Sequence, residues 1–340
     1  MTSKTIDNIV WFIPSRKLRD NIRDFMHFIY NLNKPLKAWD GATHFRKEIK
    51  NDANFYQKYL NLIKNLDKES VEIVIGILSK ITNYNNIEDD IYFSHKESKR
   101  LNDLYEEFKN KIIKINEELF IYDKYILPIN DFEMEAFYGK YGMGYVKNLN
   151  QVKNKNIIDA GGYIGDSAIL FSDYTDKNVY SFEPFLHHYN MMLKTIELNK
   201  KNNIIPVNMA LGDENKEIGM DASIGAGCGL SIENAKESDI NSFENKVKMI
   251  TLDSYVKENN IEVGLIKTDL EGFEQPFLKG AIETIKEQKP VLIISIYHNY
   301  SDFFEIKPML ENLNLGYKFK IIRNKSPQLI TETKLFAEVY

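Results

Sequence analysis

The hydrophobic period of this chain changes near its middle, and that change restricts the fold more than any other feature. From Lys155 onward, apolar runs of strand length alternate with segments of helical period. That alternation is the sequence form of a parallel sheet wound by crossover helices, an α/β doubly wound architecture. Strands are expected at 156–160, 178–182, 204–207, 264–268 and 290–297, with two more at 317–323 and 335–339. The connection between the last two is too short for a helical crossover, so they should pair antiparallel. An extra strand at 247–252 follows a stretch rich in Gly, Ser and Asn.

Before about residue 125 the period is helical. Ser15 can cap a helix with Leu18, Ile22, Phe25, Ile29 and Leu32 on one face. A second helix follows Asp52, a third covers 69–82, and a fourth starts near Glu97 with a stripe of Leu101, Leu104, Phe108, Ile112, Ile115 and Leu119. The expected division is an all-helical N-terminal module, 1–125, and a sheet domain, 126–340. The helical stripes call for packing against one another or against a twin subunit, which makes the module a candidate homodimer surface.

Composition narrows the setting. The 340 residues hold one cysteine, Cys228, which excludes an internal disulfide, a Cys-x-x-Cys pair and a multi-cysteine zinc site. A reducing cytoplasm fits that count. The longest uninterrupted apolar run, 9–13, is far short of the ~20 residues that cross a bilayer, and no cleavable leader pattern opens the sequence. Net charge is −5, which argues against a nucleic-acid partner, yet residues 1–50 carry ten Lys or Arg against five acids. Within that basic end, residues 9–23 join an aromatic stretch to a basic helix start. It is read as an arm packed on its own domain or a twin subunit, with peripheral contact to the inner face of a membrane as the alternative.

The chemistry is concentrated at strand ends. Asp159-Ala-Gly161-Gly162-Tyr163-Ile-Gly165 follows the first sheet strand, and Asp166 and Ser167 open the next helix. Glycines suit a sharp turn that lets the backbone approach a ligand, and the helix that follows presents free N–H groups. The spacing departs from the dinucleotide-binding Gly-x-Gly-x-x-Gly turn. A leading acid would repel a pyrophosphate and suits a cation such as S-adenosylmethionine, the sulfonium methyl donor. Glu183, before Pro184, lies 24 positions after Asp159, close to the ~20-residue offset at which an acid meets ribose hydroxyls. Pro184 suits the first turn of a helix. Asp269, Glu271 and Glu274 cluster after the fourth strand, and His298 ends the fifth. Open α/β sheets place ligands outside such ends.

Together, Asp-Ala-Gly-Gly-Tyr-Ile-Gly, Phe-Glu-Pro, Thr251-Leu-Asp253 and Lys267-Thr-Asp-Leu-Glu-Gly-Phe-Glu274 resemble the FkbM-type S-adenosylmethionine-dependent methyltransferases, over roughly 130–300. The resemblance implies a class I methyltransferase fold, a mostly parallel seven-stranded sheet with an antiparallel last strand. It further implies O-methylation of a hydroxyl on a sugar or natural product, here a small-molecule or glycan acceptor of surface-glycan synthesis. Many relatives carry Ala-Asn where this chain has Gly162-Tyr163.

The residues expected to meet the cofactor are Asp159, Gly161, Gly162, Tyr163, Gly165, Asp166, Ser167, Glu183, Pro184 and Asp269. His298, Glu271 and Asp269 are the catalytic candidates, with His298 or Glu271 as the proton acceptor. His187 and His188 read as surface or adenine-side residues. No fixed metal motif is present, and a metal-free site is expected. Cys228, within Gly225-Ala-Gly-Cys-Gly229, reads as a small residue of a loop over the acceptor pocket. Two other classes compete: a binding module without turnover, and a nicotinamide-dependent dehydrogenase, which the turn spacing opposes.

Overall fold

A computed structural model describes Trp11, Arg19 and residues 41–83, 95–220, 245–323 and 330–340. The expected helix at 15–32, the arm at 9–23, apart from Trp11 and Arg19, and the Cys228 loop lie outside the described residues. None of the described helices is long and apolar enough to cross a membrane.

Seven strands form the central sheet: β4 (Asn156–Ala160), β5 (Val179–Phe182), β6 (Ile204–Val207), β10 (Val263–Thr268), β11 (Val291–Ser295), β12 (Lys318–Arg323) and β13 (Thr333–Glu338). Their order is β12-β13-β11-β10-β4-β5-β6. β11, β10, β4, β5 and β6 run parallel, while β13 is antiparallel to both β11 and β12. The antiparallel closing pair matches the expectation from the short connection. Every residue of β10 and β11 is buried, the mark of strands covered on both faces. The chain progresses outward from β4 in one direction and from β10 in the other. The switch point of the sheet, where ligands of open α/β folds bind, therefore lies between their C-terminal ends.

Alternate side chains of these strands feed two cores. Ile158, Ile266 and Ile294 point into one, and Ile157, Leu265 and Ile293 into the other. The first core also contains Phe45 of α1 (Gly41–Asn51), Leu62 of α2 (Phe55–Ile63), and Val74, Ile77, Leu78 and Ile81 of α3 (Lys68–Asn83). The early helices thus share a core with the sheet. α3 also covers the edge strand β12: the Ile321 amide donates to Ser70 Oγ at 3.0 Å, and Asp67 pairs with Lys320. An edge N–H that would otherwise be open for pairing is satisfied in this way.

The fourth helical stripe is shorter than its apolar spacing implied. α4 (His95–Lys109) keeps Leu101, Leu104 and Phe108, but Ile112, Ile115 and Leu119 fall beyond it. β1 (Ile113–Asn116), β2 (Leu119–Tyr122) and β3 (Tyr125–Leu127) form an antiparallel three-stranded sheet instead. Asn116 Oδ1 accepts from the Glu118 amide at 2.9 Å and makes the first turn, while Asp123, at φ 54°, sits in the second. Phe120, Tyr122, Tyr125 and Leu127 alternate inward and join the second core with Phe108. The segment read as wholly helical therefore ends in strands.

Three further differences are local. α1 precedes Asp52 and had no counterpart among the expected helices. β9 (Asn245–Ile250) ends before Leu252, because Thr251 caps α9 (Leu252–Glu258) with Oγ1 accepting from the Ser254 amide at 3.2 Å. β9 pairs with β7 (Ala210–Leu211) and β8 (Lys216–Met220) in a small separate sheet.

Because α1 to α3 and the sheet bury one core, they should unfold together. Phe45 has edge-on contacts with Tyr300 at 5.9 Å and Phe303 at 5.6 Å. Phe45→Ala should cost about 3–5 kcal/mol and lower the midpoint of a single denaturant transition. A separate early transition for the N-terminal helices would contradict the shared core.

Candidate active site

The glycine turn after β4 is held on three sides. Gly161 and Gly165 have φ of 81° and 87°. A Cβ at Gly161 would lie 2.0 Å from the Asp269 carbonyl oxygen, and one at Gly162 would lie 2.1 Å from Ser181 Oγ. The glycines thus permit the turn to wedge between β10 and β5. The Gly161 and Gly162 amides both donate to Phe182 O, at 3.1 and 2.9 Å.

Beneath the turn lies a buried ion pair. Asp159 is 0% exposed; its Oδ2 accepts from Ser167 Oγ at 2.8 Å and Ser181 Oγ at 2.7 Å, and its Oδ1 is 3.0 Å from Lys267 Nζ. Lys267 Nζ also donates to Gly161 O at 2.6 Å. Burial disfavours charge on Lys267, but Asp159 and then Asp269 hold its pKa above the ordinary lysine value. This arrangement corrects the reading of Asp159 as a free anion facing a cationic ligand. Its charge is neutralised inside the protein, and with Ser167 it shapes the turn from below. Lys267 was overlooked; a lysine inside an otherwise apolar strand was the available signal.

At the end of β5, Glu183 ties the turn to the next strand. Its Oε2 accepts from the Tyr163 amide and its Oε1 from the Phe185 amide, both at 2.9 Å. Tyr163, at φ 45°, donates its hydroxyl to Asp131 Oδ2 at 2.8 Å and sets its ring 4.6 Å from that of His188. His188 therefore covers the turn, with Nδ1 3.7 Å from Glu183 Oε1. Pro184 lies before Phe185, the N-cap of α8 (Leu186–Leu198), and not inside its first turn.

The C-terminal ends of β10 and β11 supply the opposite wall. Glu271 and Gly272 take φ of 53° and 96°. Glu274 closes this loop, accepting from the Leu270 amide at 2.7 Å and the Gly272 amide at 3.0 Å. Tyr297 donates its hydroxyl to Asp269 Oδ1 at 3.0 Å. His298, with a side chain 5% exposed, has Nδ1 3.1 Å from Glu274 Oε1 and Nε2 3.3 Å from Asp269 Oδ1, with Glu271 Oε2 at 3.7 Å.

Burial opposes charge on this imidazole, but Glu274, Asp269 and Glu271 outweigh it and raise its pKa to about 10. These carboxylates favour the imidazolium form of His298 at neutral pH, which weighs against the ring as the proton acceptor. Asp269 is held below the ordinary carboxylate range: burial opposes this, and His298 and Lys267 prevail. Burial raises Glu271 despite the nearby His298. Among the described residues, Asp269, Glu274 and His298 bring one ligand atom each within 4.8 Å of one another, a grouping that would suit a metal ion. The two carboxylates face different ring nitrogens, however, as anions do around an imidazolium.

The segment 131–141 is tied to the turn through Asp131 and Tyr163, and no motif pointed to it or to the start of β13. Tyr141 donates its hydroxyl to Glu133 Oε2 at 3.3 Å. Lys334 Nζ is 2.6 Å from Glu332 Oε2 and 3.3 Å from Glu135 Oε1.

The His298 assignment makes a pH prediction. Its folded pKa lies above the unfolded value near 6.5, so its contribution to stability is fully present below pH 6.5 and is lost as pH rises through about 10. In NMR titrations the ring should remain protonated at pH 8, and Glu274→Gln should bring its midpoint down towards neutrality. A wild-type midpoint near 6.5 would refute the imidazolium.

Residues 159–319 match the family described as the methyltransferase FkbM domain. The crystal structure of a methyltransferase FkbM from Methylobacillus flagellatus superposes with a TM-score of 0.55 at 16% identity, over 86% of this chain. The present chain spans only 60% of that protein's length. The tRNA m1G37 methyltransferase of Methanocaldococcus jannaschii gives a TM-score of 0.36 at 15% identity, covering 67% of this chain and 58% of that one. No curated protein matches the chain. The glycine turn and the strand ends at the switch point lie within the matched segment, and residues 159–319 carry a methyltransferase FkbM domain.

Proposed function

We propose that this protein is an S-adenosylmethionine-dependent O-methyltransferase that acts on a hydroxyl of a sugar, in the assembly of a surface glycan. The observation that carries the reading is the carboxylate of Glu183 beside the glycine turn at the switch point of the sheet. It accepts two backbone N–H groups and has acceptor capacity left for the two ribose hydroxyls of an adenosyl group. The turn amides, the ring of Tyr163 and the imidazole of His188 would flank the nucleoside. S-adenosylmethionine fits this cradle, and when bound it supplies an electrophilic methyl group for in-line displacement.

The remaining work falls to positioning and to proton removal. Glu271 is the proposed proton acceptor. It lies at the open edge of the cleft, and burial already raises its affinity for a proton. Cationic His298 fixes Asp269 as an anion beside it, and Glu274 holds the loop that carries Glu271. Asp269 and Glu271 stand at the strand ends of the site, and their charge disfavours a polyanionic acceptor and so supports a neutral hydroxyl compound over nucleic acid. A chain with one cysteine suits the reducing cytoplasmic side of the membrane, where the donor is made available.

Titration calorimetry with S-adenosylhomocysteine tests the cofactor. Binding is expected, and Glu183→Ala should weaken it at least tenfold, since hydrogen bonds to a charged group contribute about 1.5–3 kcal/mol each. No binding to the wild-type protein would overturn the reading. Glu271→Gln should lower methylation of a sugar acceptor by about 10²- to 10⁴-fold while leaving S-adenosylhomocysteine affinity intact. Equal rates for the variant and wild type across pH 6 to 9 would remove Glu271 from the mechanism.

A further inference from the structure

The segment ahead of β4 contains a backbone conformation that L side chains rarely adopt. Lys140, Tyr141 and Gly142 take φ of 50°, 47° and 76°. A glycine suits the last position, where a Cβ would lie 2.5 Å from Ile322 Cδ1 of β12. Lys140 and Tyr141 have no such freedom, and unfavourable backbone persists only where the surroundings hold it. What is held here is the Tyr141 side chain. It is 2% exposed, its ring stacks on Phe171 of α7 (Asp166–Phe171) with centroids 5.5 Å and planes 29° apart, and its hydroxyl donates to Glu133 Oε2.

Two buried cations meet that ring. Lys334 Nζ lies over it at 5.0 Å from the centroid, and Lys267 Nζ at 5.4 Å. The lysines come from β13 and β10, strands separated by β11. Lys267 is in register with Ile293 of β11 and Lys334 with Ser295, two residues apart, so both lysines stand on one face of the sheet. Their charges are neutralised elsewhere, by Asp159 for Lys267 and by Glu332 and Glu135 for Lys334. The ring adds one electron-rich surface against which both ammonium groups rest. Its influence reaches the site through Lys267, whose Nζ also donates to Gly161 O at 2.6 Å. Ring, ammonium and glycine turn form a continuous chain of contacts.

We propose that Tyr141 is a positioning residue for the glycine turn: its ring face holds the ammonium groups of Lys267 and Lys334 and, through Lys267, fixes the Gly161 carbonyl before a ligand arrives. The proposal rests on the reading of the turn as the cofactor site. It adds Tyr141, which precedes the matched segment 159–319, and Lys334, which follows it. A turn that must be ordered on binding subtracts that cost from affinity, so a preset turn binds more tightly. An aliphatic side chain could fill space in the second core, but it would offer the lysines no electron-rich face. Lys267 would then be held by Asp159 and the Gly161 carbonyl alone.

Tyr141→Phe keeps the ring and removes the hydroxyl; Tyr141→Leu removes both. In titration calorimetry, at a temperature where each variant is folded, Tyr141→Leu should bind S-adenosylhomocysteine about tenfold more weakly than the wild type. Tyr141→Phe should restore most of that loss. NMR of the lysine side chains supplies a readout that packing alone would not move. The ε-methylene protons of Lys267 and Lys334 should be shielded by the ring in the wild type and in Tyr141→Phe, and should return to the ordinary lysine position in Tyr141→Leu. A lowered melting temperature in Tyr141→Leu with unchanged affinity would reduce Tyr141 to a packing residue and overturn the proposal. Equal loss of affinity in both variants would transfer the effect to the hydroxyl bond with Glu133 and also overturn it. Should Tyr141→Leu not fold, the wild-type spectrum decides, because unshielded lysine resonances would remove the ring contact itself. Failure of the wild type to bind S-adenosylhomocysteine would instead refute the cofactor reading on which the role depends.

Discussion

The pair formed by Lys267 and Asp159 joins the two halves of the sheet at the point where the strand order reverses. Both side chains are almost completely buried, 3.0 Å apart, and directly opposite in the β10/β4 register. Buried charges are costly unless their remaining bonding capacity is met. Here Ser167 and Ser181 complete the carboxylate, and the Gly161 carbonyl receives the ammonium. The pair therefore determines more than strand pairing. It fixes the height of the glycine turn above the sheet, the start of α7, and the position from which Asp166 faces the cleft.

The cleft that results is an unbalanced electrostatic environment. Lys267, Lys334 and His298 supply its positive charge, and each is already surrounded by carboxylates. Burial, with neighbouring carboxylates adding to it, pushes Asp166, Glu133 and Glu271 towards the protonated form. Asp269, which has His298 and Lys267 beside it, is pushed the other way. One set of acids thus divides into a permanent anion and several proton-ready groups. Such a division would serve the proposed binding of a cationic donor and removal of a proton.

The two faces of the sheet are covered from different parts of the chain. α1 to α3 complete one core and protect the β12 edge, while the β1 to β3 strands and α4 seal the other. The segment ahead of the sheet is therefore structural for the site as well as for stability. It also delivers Asp131, Glu133 and Tyr141 to the cleft from residues that precede β4 in sequence.

The positions of the main strands along the chain, the antiparallel closing pair, the turn and the strand-end acids were legible because each depends on local pattern. Continuous apolar runs mark buried strands, glycines mark a turn that excludes Cβ atoms, and strand ends in a doubly wound sheet must face one crevice. Three matters depended on tertiary structure. The stripe through Ile112, Ile115 and Leu119 fits a helix period as well as it fits alternating strands, and the core that receives Phe120 and Tyr122 decided for strands. His298 has the pKa of its surroundings, so its change from candidate base to imidazolium required Glu274, Asp269 and Glu271 to be placed around it. Asp159 and Lys267 are 108 residues apart, and only their register in adjacent strands turns a strand-end acid into the buried partner of a lysine. Spacing along the chain names the groups a site can use; the charge each one carries is set by neighbours that are distant in sequence.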